Sequence, residues 1–421
     1  MELSEIEVSA KQWGVGHGGF HTQTLEVQHR SAGERGKFHV IYDCGSKNRK
    51  DWLKQAIDNF TATVDEGDEV VALYISHYDF DHVSGLRHLM ERLQARGLRV
   101  GTVVAPLLTD LARVVLSIGN RASPRWYRDF LENPRAVLSD MGVGNIVELD
   151  GGEGPPDAPL DPPTDETDPA QNAGASATVD AAGRVSVKRG GIEVWEFVPI
   201  PVGPPLESDK QKKFWIELPK ALGVTGSRSQ LTREVLRETA VFEAARVNKA
   251  VKATLGHKWA NLLSLCLYSG PTGSINLGAI EPDFLCEQEL PRSDMARTRA
   301  TDLGPVSWLG TGDATLNTSE YIGYLKTRLG PYRTTRIRAV GAPHHGSEGN
   351  ASAELWDSFP VRTVATLHAL GLYGHPSEKV VDEIWDSGHL PLHVGLPTQS
   401  VSFHLSATGS PIVGWSFLEF P

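Results

Sequence analysis

Four residues of metal-binding type stand together in the segment SHYDFDH, namely His77, Asp79, Asp81 and His82. They follow the apolar run EVVALYIS, which predicts a strand buried on both faces. Because His77, Asp79 and Asp81 alternate, an extended chain would place all three on one side. Imidazole and carboxylate together favour Zn, Mn or Fe. The alternative is a polar turn in which Asp81 caps the next helix, but a cap explains only one of the four residues.

Three later segments repeat the arrangement of an apolar strand or turn followed by residues of ligand type. LGTGDAT ends a strand at Asp313, GAPHHGSEG follows another strand with His344 and His345, and GLYGHPSEKV places His375 before a helix. Open α/β sheets place their sites at the carboxyl ends of strands. Each segment is weak evidence by itself, but their repetition indicates that all of them serve one site.

Apolar periodicity predicts the elements that would position these residues. Apolar runs predict strands at 19–29, 36–46, 69–76, 99–107, 190–200, 261–269, 306–313 and 336–343. Apolar residues at helical spacing predict helices at 50–60, 82–98, 229–255 and 377–387. Gly85 would allow close packing of the backbone behind the metal segment. The alternation of strands and helices predicts an α/β architecture.

Two segments interrupt this alternation. Residues 151–185 are rich in Pro, Gly, Asp and Ala, lack aromatic residues, and carry seven acidic residues and one arginine. Such a composition cannot bury enough apolar surface to offset chain entropy, so we expect a flexible insertion. Residues 205–258 predict a mostly helical insertion, and both insertions could bind protein partners. The whole chain, residues 1–421, is expected to form a single domain that contains both insertions.

Composition excludes several classes of protein. With 421 residues, 40 % hydrophobic and 22 % charged, the chain has an ordinary globular composition, and its net charge of −11 argues against a protein that coats nucleic acid through bulk charge. The three cysteines (Cys44, Cys266 and Cys286) form no CxxC pair, so a disulfide framework or zinc finger is not expected, and Cys44 and Cys266 are interpreted as buried. No leader and no membrane span is predicted, which favours the cytoplasm.

Five blocks in order, YDCGS, SHYDFDHVSGL, GTGDAT, APHHGSEG and YGHPSEKV, resemble the signature of the metallo-β-lactamase-fold hydrolases. More narrowly, they resemble the branch typified by the nuclease-like domain of the ComEC/Rec2 DNA-uptake proteins, which is similar in having Asp at the position of Asp79. The chain would be a stand-alone member of that branch. The resemblance implies an α/β fold, the αββα sandwich of the superfamily, with metals at one sheet edge and with a disordered acidic insertion and a helical insertion.

The resemblance also implies roles for individual residues. The residues that match metal ligands of the family are His77, Asp79, Asp81, His82, Asp313, His344 and His375. Asp313 matches the carboxylate that bridges two metals, and Asp43 matches a buried aspartate that supports the metal loop. The histidine that the superfamily usually has between the main block and the bridging Asp has no counterpart here. His257 lies in that interval and is interpreted as a core or surface histidine.

Together these features predict a metal-dependent hydrolase of phosphodiesters, in nucleic acid or nucleotides, that uses one or two divalent ions, Zn²⁺ or Mn²⁺, to activate water. Asp81 would orient the nucleophile, and His345 or His375 would contact the substrate or protonate the leaving group. Ser347 and Arg336 would bind phosphate, although Arg336 could equally be solvated at a strand edge. Two alternatives stay open: a hydrolase of an ester, thioester or amide, and a non-catalytic adaptor in a multi-protein, defence-type system.

Overall fold

The structure is a computed structural model that describes residues 4–28, 35–120, 123–151, 174–203, 209–223, 225–237, 249, 254, 263–272, 275–286 and 307–411. Its strands in chain order are β1 (Ser4–Gln12), β2 (Phe20–Gln28), β3 (Arg35–Cys44), β4 (Glu69–Tyr74), β5 (Val100–Pro106), β6 (Asn145–Leu149), β7 (Ala175–Val179), β8 (Val185–Arg189), β9 (Ile192–Val202), β10 (Ser264–Pro271), β11 (Ile275–Cys286), β12 (Ser307–Gly310), β13 (Ile337–Gly341), β14 (Val364–Leu367), β15 (Leu390–His393) and β16 (Val401–Pro411).

The strands form two sheets of mixed direction. The first has the order β11-β16-β1-β2-β3-β4-β5-β6, and the second has the order β15-β14-β13-β12-β10-β9-β8-β7. From β3 to β6 the neighbours in the first sheet are parallel, as are the neighbours from β12 to β15 in the second. Parallel strands end at a common edge, so each sheet offers a row of loops at its carboxyl ends.

Helices cover both outer faces. Those of the first half are α1 (Lys50–Ala62), α2 (Phe80–Val83), α3 (Leu86–Gln94), α4 (Asp110–Gly119), α5 (Arg125–Glu132) and α6 (Pro134–Asp140). They are followed by α7 (Asp209–Leu222), α8 (Arg228–Arg237), α9 (Ser319–Thr334), α10 (Ala353–Trp356) and α11 (Glu378–Asp386). The order of layers, helices, sheet, sheet and helices, confirms the predicted sandwich.

Three apolar cores hold the layers together. The inter-sheet core contains large buried side chains from both sheets, including Tyr74, Trp195 and Phe197. A second core lies between the first sheet and helices α1, α3 and α5, and a third between the second sheet and helices α9 to α11. Each large apolar side chain that is fully buried contributes about 1.5–3 kcal/mol to folding, so the sheets are rigid supports for the loops at their ends.

The helix predicted at 82–98 is divided. Helix α2 ends at Val83 and α3 begins at Leu86, with Gly85 between them. A β-carbon on Gly85 would lie 2.8 Å from Cys44 Sγ, and the Gly85 N–H donates to Cys44 O at 2.8 Å. The close packing expected at Gly85 is therefore confirmed, and this packing separates the two helices. Cys44 and Cys266 are both buried, as expected.

The two predicted insertions are described only in part. Residues 152–173 lie outside the described residues, but 175–179 form β7, which pairs with β8, so the chain is already ordered within the predicted flexible segment. Within 205–258 the structure describes α7 and α8, which pack against α4, whereas His257 and most of 238–262 lie outside the described residues. Among the helices that are described, none is long and apolar enough to cross a membrane.

Candidate metal centre

The carboxylate of Asp313 lies at the centre of the candidate site, just after β12, and is 3 % exposed. Its Oδ2 atom lies 3.3 Å from His77 Nε2 and 3.4 Å from His344 Nε2. Its Oδ1 atom lies 3.4 Å from His82 Nε2 and 3.9 Å from His345 Nε2. Each oxygen therefore faces two imidazole nitrogens, one from the first sheet and one from the second. This is the arrangement expected of a carboxylate that bridges two cations.

Two further carboxylates flank this centre. Asp79 Oδ2 lies 3.4 Å from His77 Nε2, and Asp81 Oδ2 lies 3.7 Å from His345 Nε2. Asp79 stands at the N-cap position of α2, but its side chain makes no capping hydrogen bond, and Asp81 lies within the helix. The predicted extended segment is thus a loop followed by a helical turn. Asp79 Oδ1 accepts a hydrogen bond from Asn120 Nδ2 at 3.0 Å, so Asp79 Oδ2 is the oxygen that faces the site.

Asp43, at the end of β3, contacts the segment that carries the predicted ligands His77 and His82. Its carboxylate accepts hydrogen bonds from Ser76 N–H and Ser76 Oγ, each at 2.7 Å, and from His82 Nδ1 at 2.8 Å. Ser76 Oγ also lies 2.9 Å from His77 Nδ1. These contacts occupy the Nδ1 sides of both imidazoles, so His77 and His82 direct Nε2 towards Asp313. Carboxylate and hydroxyl partners of this kind orient metal-binding histidines.

The HHGS loop positions its two histidines through an uncommon backbone conformation. His344 and His345 have φ values of 47° and 58°. Asn350 holds the loop, because its Oδ1 accepts from His344 Nδ1 at 2.9 Å and its Nδ2 donates to Asp313 O at 3.0 Å. Positive φ costs a non-glycine residue about 1–3 kcal/mol and is concentrated at functional sites. Among the described residues, four of the five non-glycine positions with positive φ belong to this site or its rim: Asp43, His344, His345 and Tyr373.

The donor atoms fit a divalent metal. The Nε2 atoms of His77, His82 and His345 are buried and make no hydrogen bond within the described part of the chain. Two ligand atoms on a tetrahedral Zn²⁺ lie about 3.4 Å apart, which matches the separations of 3.3–3.4 Å around Asp313. Two sets of three donors also have all their ligand atoms within 4.8 Å of one another: His77, His82 and Asp313, and His17, Asp81 and His345.

His17 is the residue of this site that the motif blocks miss. It lies in the loop between β1 and β2, is 3 % exposed, and places Nε2 3.8 Å from Asp81 Oδ2. Its only signal in the sequence is a histidine flanked by glycines in GVGHGG. Burial, followed by the neighbouring imidazole of His345, lowers the pKa of His17 to about 3. The ring is therefore neutral at physiological pH.

Comparison with known proteins agrees with this geometry. Residues 33–165 match the family model described as "Metallo-beta-lactamase superfamily". Within these residues the chain is similar to members of that superfamily. No curated protein matches the chain. Among solved structures, one match is the "Crystal structure of unliganded yeast PDE1", with 8 % sequence identity and a TM-score of 0.38 over 96 % of this chain and 99 % of that chain.

The residues that match the family model end before the second half of the candidate site. They include Asp43 and the block from His77 to His82, whereas Asp313, His344 and His345 follow β12 and β13 of the other sheet. The structure joins the two halves through the contacts of Asp313 with all four imidazoles.

The carboxylates of the candidate site favour positively charged groups among them. Burial opposes protonation of His77, but the carboxylates of Asp313 and Asp79 outweigh it and raise the pKa of His77 to about 9. Burial likewise opposes protonation of His82, whose pKa is held well above its ordinary value by Asp43 and Asp313. Burial alone would raise the pKa of Asp313, yet the imidazoles of His344, His77 and His82 hold it well below its usual range. The pocket thus favours a cation among its carboxylates.

The remaining predicted residues lie farther from Asp313. His375 is half-buried at the rim, with its ring centroid 5.2 Å from that of His344 and 6.2 Å from that of His17. Burial and the neighbouring His344 and His345 lower its pKa. Ser347 is buried, and its Oγ accepts from Gly349 N–H within the HHGS turn.

Arg336 is not brought to the site. It immediately precedes β13 and stacks on Tyr332, with its guanidinium carbon 3.6 Å from the ring centroid. The site is at the opposite, carboxyl end of that strand, about 16 Å away for five residues. Arg333 is buried against Glu196, with separations of 2.8 and 3.0 Å. Arg336 is close to the HHGS block in the sequence, but strand β13 lies between them and places them at opposite ends.

Proposed function

We propose that the protein is a metal-dependent hydrolase of phosphodiesters whose substrate is a nucleotide or a nucleic acid. The observation that carries this proposal is a group of three exposed cations beside the site, Lys47, Arg49 and Lys50. The Lys47 N–H donates to His17 O at 2.8 Å, which ties this segment to the site. A local group of cations at the rim of a chain with a net charge of −11 favours an anionic substrate.

Aromatic rings accompany these cations. Lys47 Nζ lies 4.8 Å from the ring centroid of Tyr373, and the guanidinium carbon of Arg49 lies 3.9 Å from the ring centroid of Trp52. The ring of Tyr373 is 68 % exposed and lies 5.4 Å from the ring of His17. An exposed ring beside a cation can stack a base while the cation contacts its phosphate. We therefore favour a substrate that carries both groups.

The chemistry follows from the donor set. The residues around Asp313 would hold divalent cations, which when bound supply a water molecule of lowered pKa and positive charge beside the phosphate. These residues are His77, Asp79, Asp81, His82, Asp313, His344 and His345. Asp81 would hold that water through a carboxylate oxygen. The mixed imidazole and carboxylate ligands suit Zn²⁺ or Mn²⁺. The motif resemblance to the ComEC/Rec2 branch supports a nuclease in particular.

His375 is the residue that we assign to proton transfer. The Nε2 atom of His345 is directed at Asp81 and Asp313, which is a ligand's position. His375 lies at the rim, is half-exposed, and has a lowered pKa, so its ring is neutral near pH 7. A neutral imidazole at the rim can take a proton from water and return it to the leaving group.

The experiment is a substrate panel on metal-loaded protein, with single-stranded DNA, duplex DNA, RNA and cyclic nucleotides. The rim variant Lys47→Ala/Lys50→Ala is compared with Arg99→Ala/Lys326→Ala, which removes the same charge from exposed positions elsewhere. We expect KM for a phosphodiester to rise about tenfold or more in the rim variant alone. Turnover of esters or thioesters at the same rate in the wild type and in the rim variant would contradict the proposal and would favour acyl hydrolysis. Absence of any turnover by metal-loaded protein would favour an adaptor.

A further inference from the structure

The loop between β1 and β2 brings an imidazole to the site from outside the motif blocks. The ring centroid of His17 lies 4.1 Å from that of His345, and His17 Nε2 lies 3.8 Å from Asp81 Oδ2. Its other nitrogen, Nδ1, is buried without a hydrogen bond to any described residue. A histidine that only fills a core has its polar atoms satisfied by neighbours. The polar groups around His17 are instead those of the metal site.

The backbone holds His17 in this position. The Gly16 N–H donates to Gly395 O at 2.9 Å, and the Gly19 N–H donates to Asp81 O at 3.3 Å. A β-carbon on Gly18 would lie 2.3 Å from Gly45 O and 2.8 Å from Asp81 O, so only glycine permits this approach. The loop is packed directly against the segment that carries Asp81. The short distance between His17 and Asp81 therefore follows from main-chain packing.

We propose that His17 is a ligand of a second divalent cation, which it would hold together with Asp81 and His345. The three ligand atoms lie within 4.8 Å of one another, and Asp313 Oδ1 faces the same group through His345. His17 would thus supply the imidazole for which the motif blocks offer no counterpart. The inference rests on the metal-dependent hydrolase proposed above, but it concerns the number of bound cations and not the substrate.

The test measures bound metal. Wild type, His17→Gln and His17→Ala are equilibrated at defined free Mn²⁺ or Zn²⁺, and metal per chain is determined by elemental analysis. The electron paramagnetic resonance spectrum of the Mn²⁺ form reports on coupling between two ions. His88→Gln is the matched control, because it removes an imidazole that contacts Asp58 and belongs to neither group of three donors.

We expect two cations per chain in the wild type and in His88→Gln. In both His17 variants we expect the second cation to bind about 10–100-fold more weakly, with loss of the coupled Mn²⁺ spectrum. Circular dichroism identifies any variant that fails to fold, and His17→Gln, which keeps a polar side chain, then decides the outcome. Two cations bound with unchanged affinity in His17→Gln, equal weakening of both cations, or a single cation in the wild type would each overturn the inference. A protein that binds two cations yet hydrolyses no phosphodiester would overturn only the proposed function.

Discussion

Asp43 accepts a hydrogen bond from His82 Nδ1 at 2.8 Å, and this contact leaves His82 Nε2 to face Asp313 at 3.4 Å. The same carboxylate reaches His77 indirectly, through Ser76 Oγ. One buried aspartate therefore orients two imidazoles that are distant from it in the sequence.

Replacement of Asp43 by asparagine tests this orienting role. Because an amide can donate to Nδ1, Asp43→Asn permits the other tautomer of His82, and we expect the affinity for metal to fall about 10–100-fold. Chelator competition measures it. The matched control is Asp58→Asn, whose carboxylate contacts His88 Nε2 at 3.0 Å in a more exposed pair. Equal affinities in Asp43→Asn and wild type would show that Asp43 does not orient the site.

Metal binding should depend on pH in a defined direction. The pKa of His77 is raised to about 9 in the metal-free protein, because Asp313 and Asp79 overcome the effect of burial. A cation must then displace a proton, so the apparent affinity should rise as pH increases towards about 9, by about tenfold per pH unit for each proton released. Titrations between pH 6.5 and 9 measure this slope. A flat profile would contradict the role of His77 as a ligand.

The buried pair of Glu196 and Arg333 should matter for stability and not for metal binding. Glu196 is 2 % exposed and contacts Arg333 from one side and Arg184 from the other. Glu196→Gln leaves buried guanidinium charge without its carboxylate, so we expect a loss of about 3–5 kcal/mol in the free energy of unfolding. Urea denaturation measures the change.

The control for that experiment is an exposed pair. Lys220 and Glu217 lie 2.7 Å apart on α7, where their side chains are 64 % and 40 % exposed. Glu217→Gln should cost less than about 0.5 kcal/mol. A comparable loss of unfolding free energy in both variants would show that burial of the Glu196 pair does not increase its contribution to stability.

Tyr373 should affect substrate binding more than turnover. If a base stacks on its exposed ring, Tyr373→Ala should raise KM for a phosphodiester about 5- to 100-fold with little change in kcat. Tyr373→Phe keeps the aromatic face and should resemble the wild type. Steady-state kinetics on the best substrate of the panel separate the two constants. An equal rise of KM in both variants would assign the effect to the hydroxyl instead of the ring.

The sequence predicted those parts of the fold whose signals are local. Strand β4 was predicted from an apolar run and helix α1 from apolar residues at helical spacing, and both occur as predicted. The structure brings His77, Asp81 and Asp313 together, and each of them follows an apolar strand in the sequence. Helices α4 to α6 were missed, although the buried residues Leu111, Val114 and Val115 of α4 recur at helical spacing.

The errors in the site arise from chain folding over long separations. His17 lies in a glycine-rich turn, GVGHGG, that contains no other residue of ligand type, and the packing of the loop after β1 against the segment of Asp81 brings it near the site. Arg336 was assigned to the site because it is close to His344 in sequence, but the intervening β13 carries the two apart. A short separation in sequence implies proximity in space when the chain turns, but not when the residues lie at opposite ends of a strand.

The division of ligands between the two sheets has a mechanical consequence. His77 and His82 follow β4 of one sheet, whereas Asp313, His344 and His345 follow β12 and β13 of the other. A cation held among them would act as a cross-link between the N-terminal and C-terminal halves of the chain. Because only the fully assembled sandwich presents all the donors, free metal at a hundred times its Kd would stabilise the native state by about 2.7 kcal/mol. The concentration of free metal would thus set the stability of the folded protein as well as its activity.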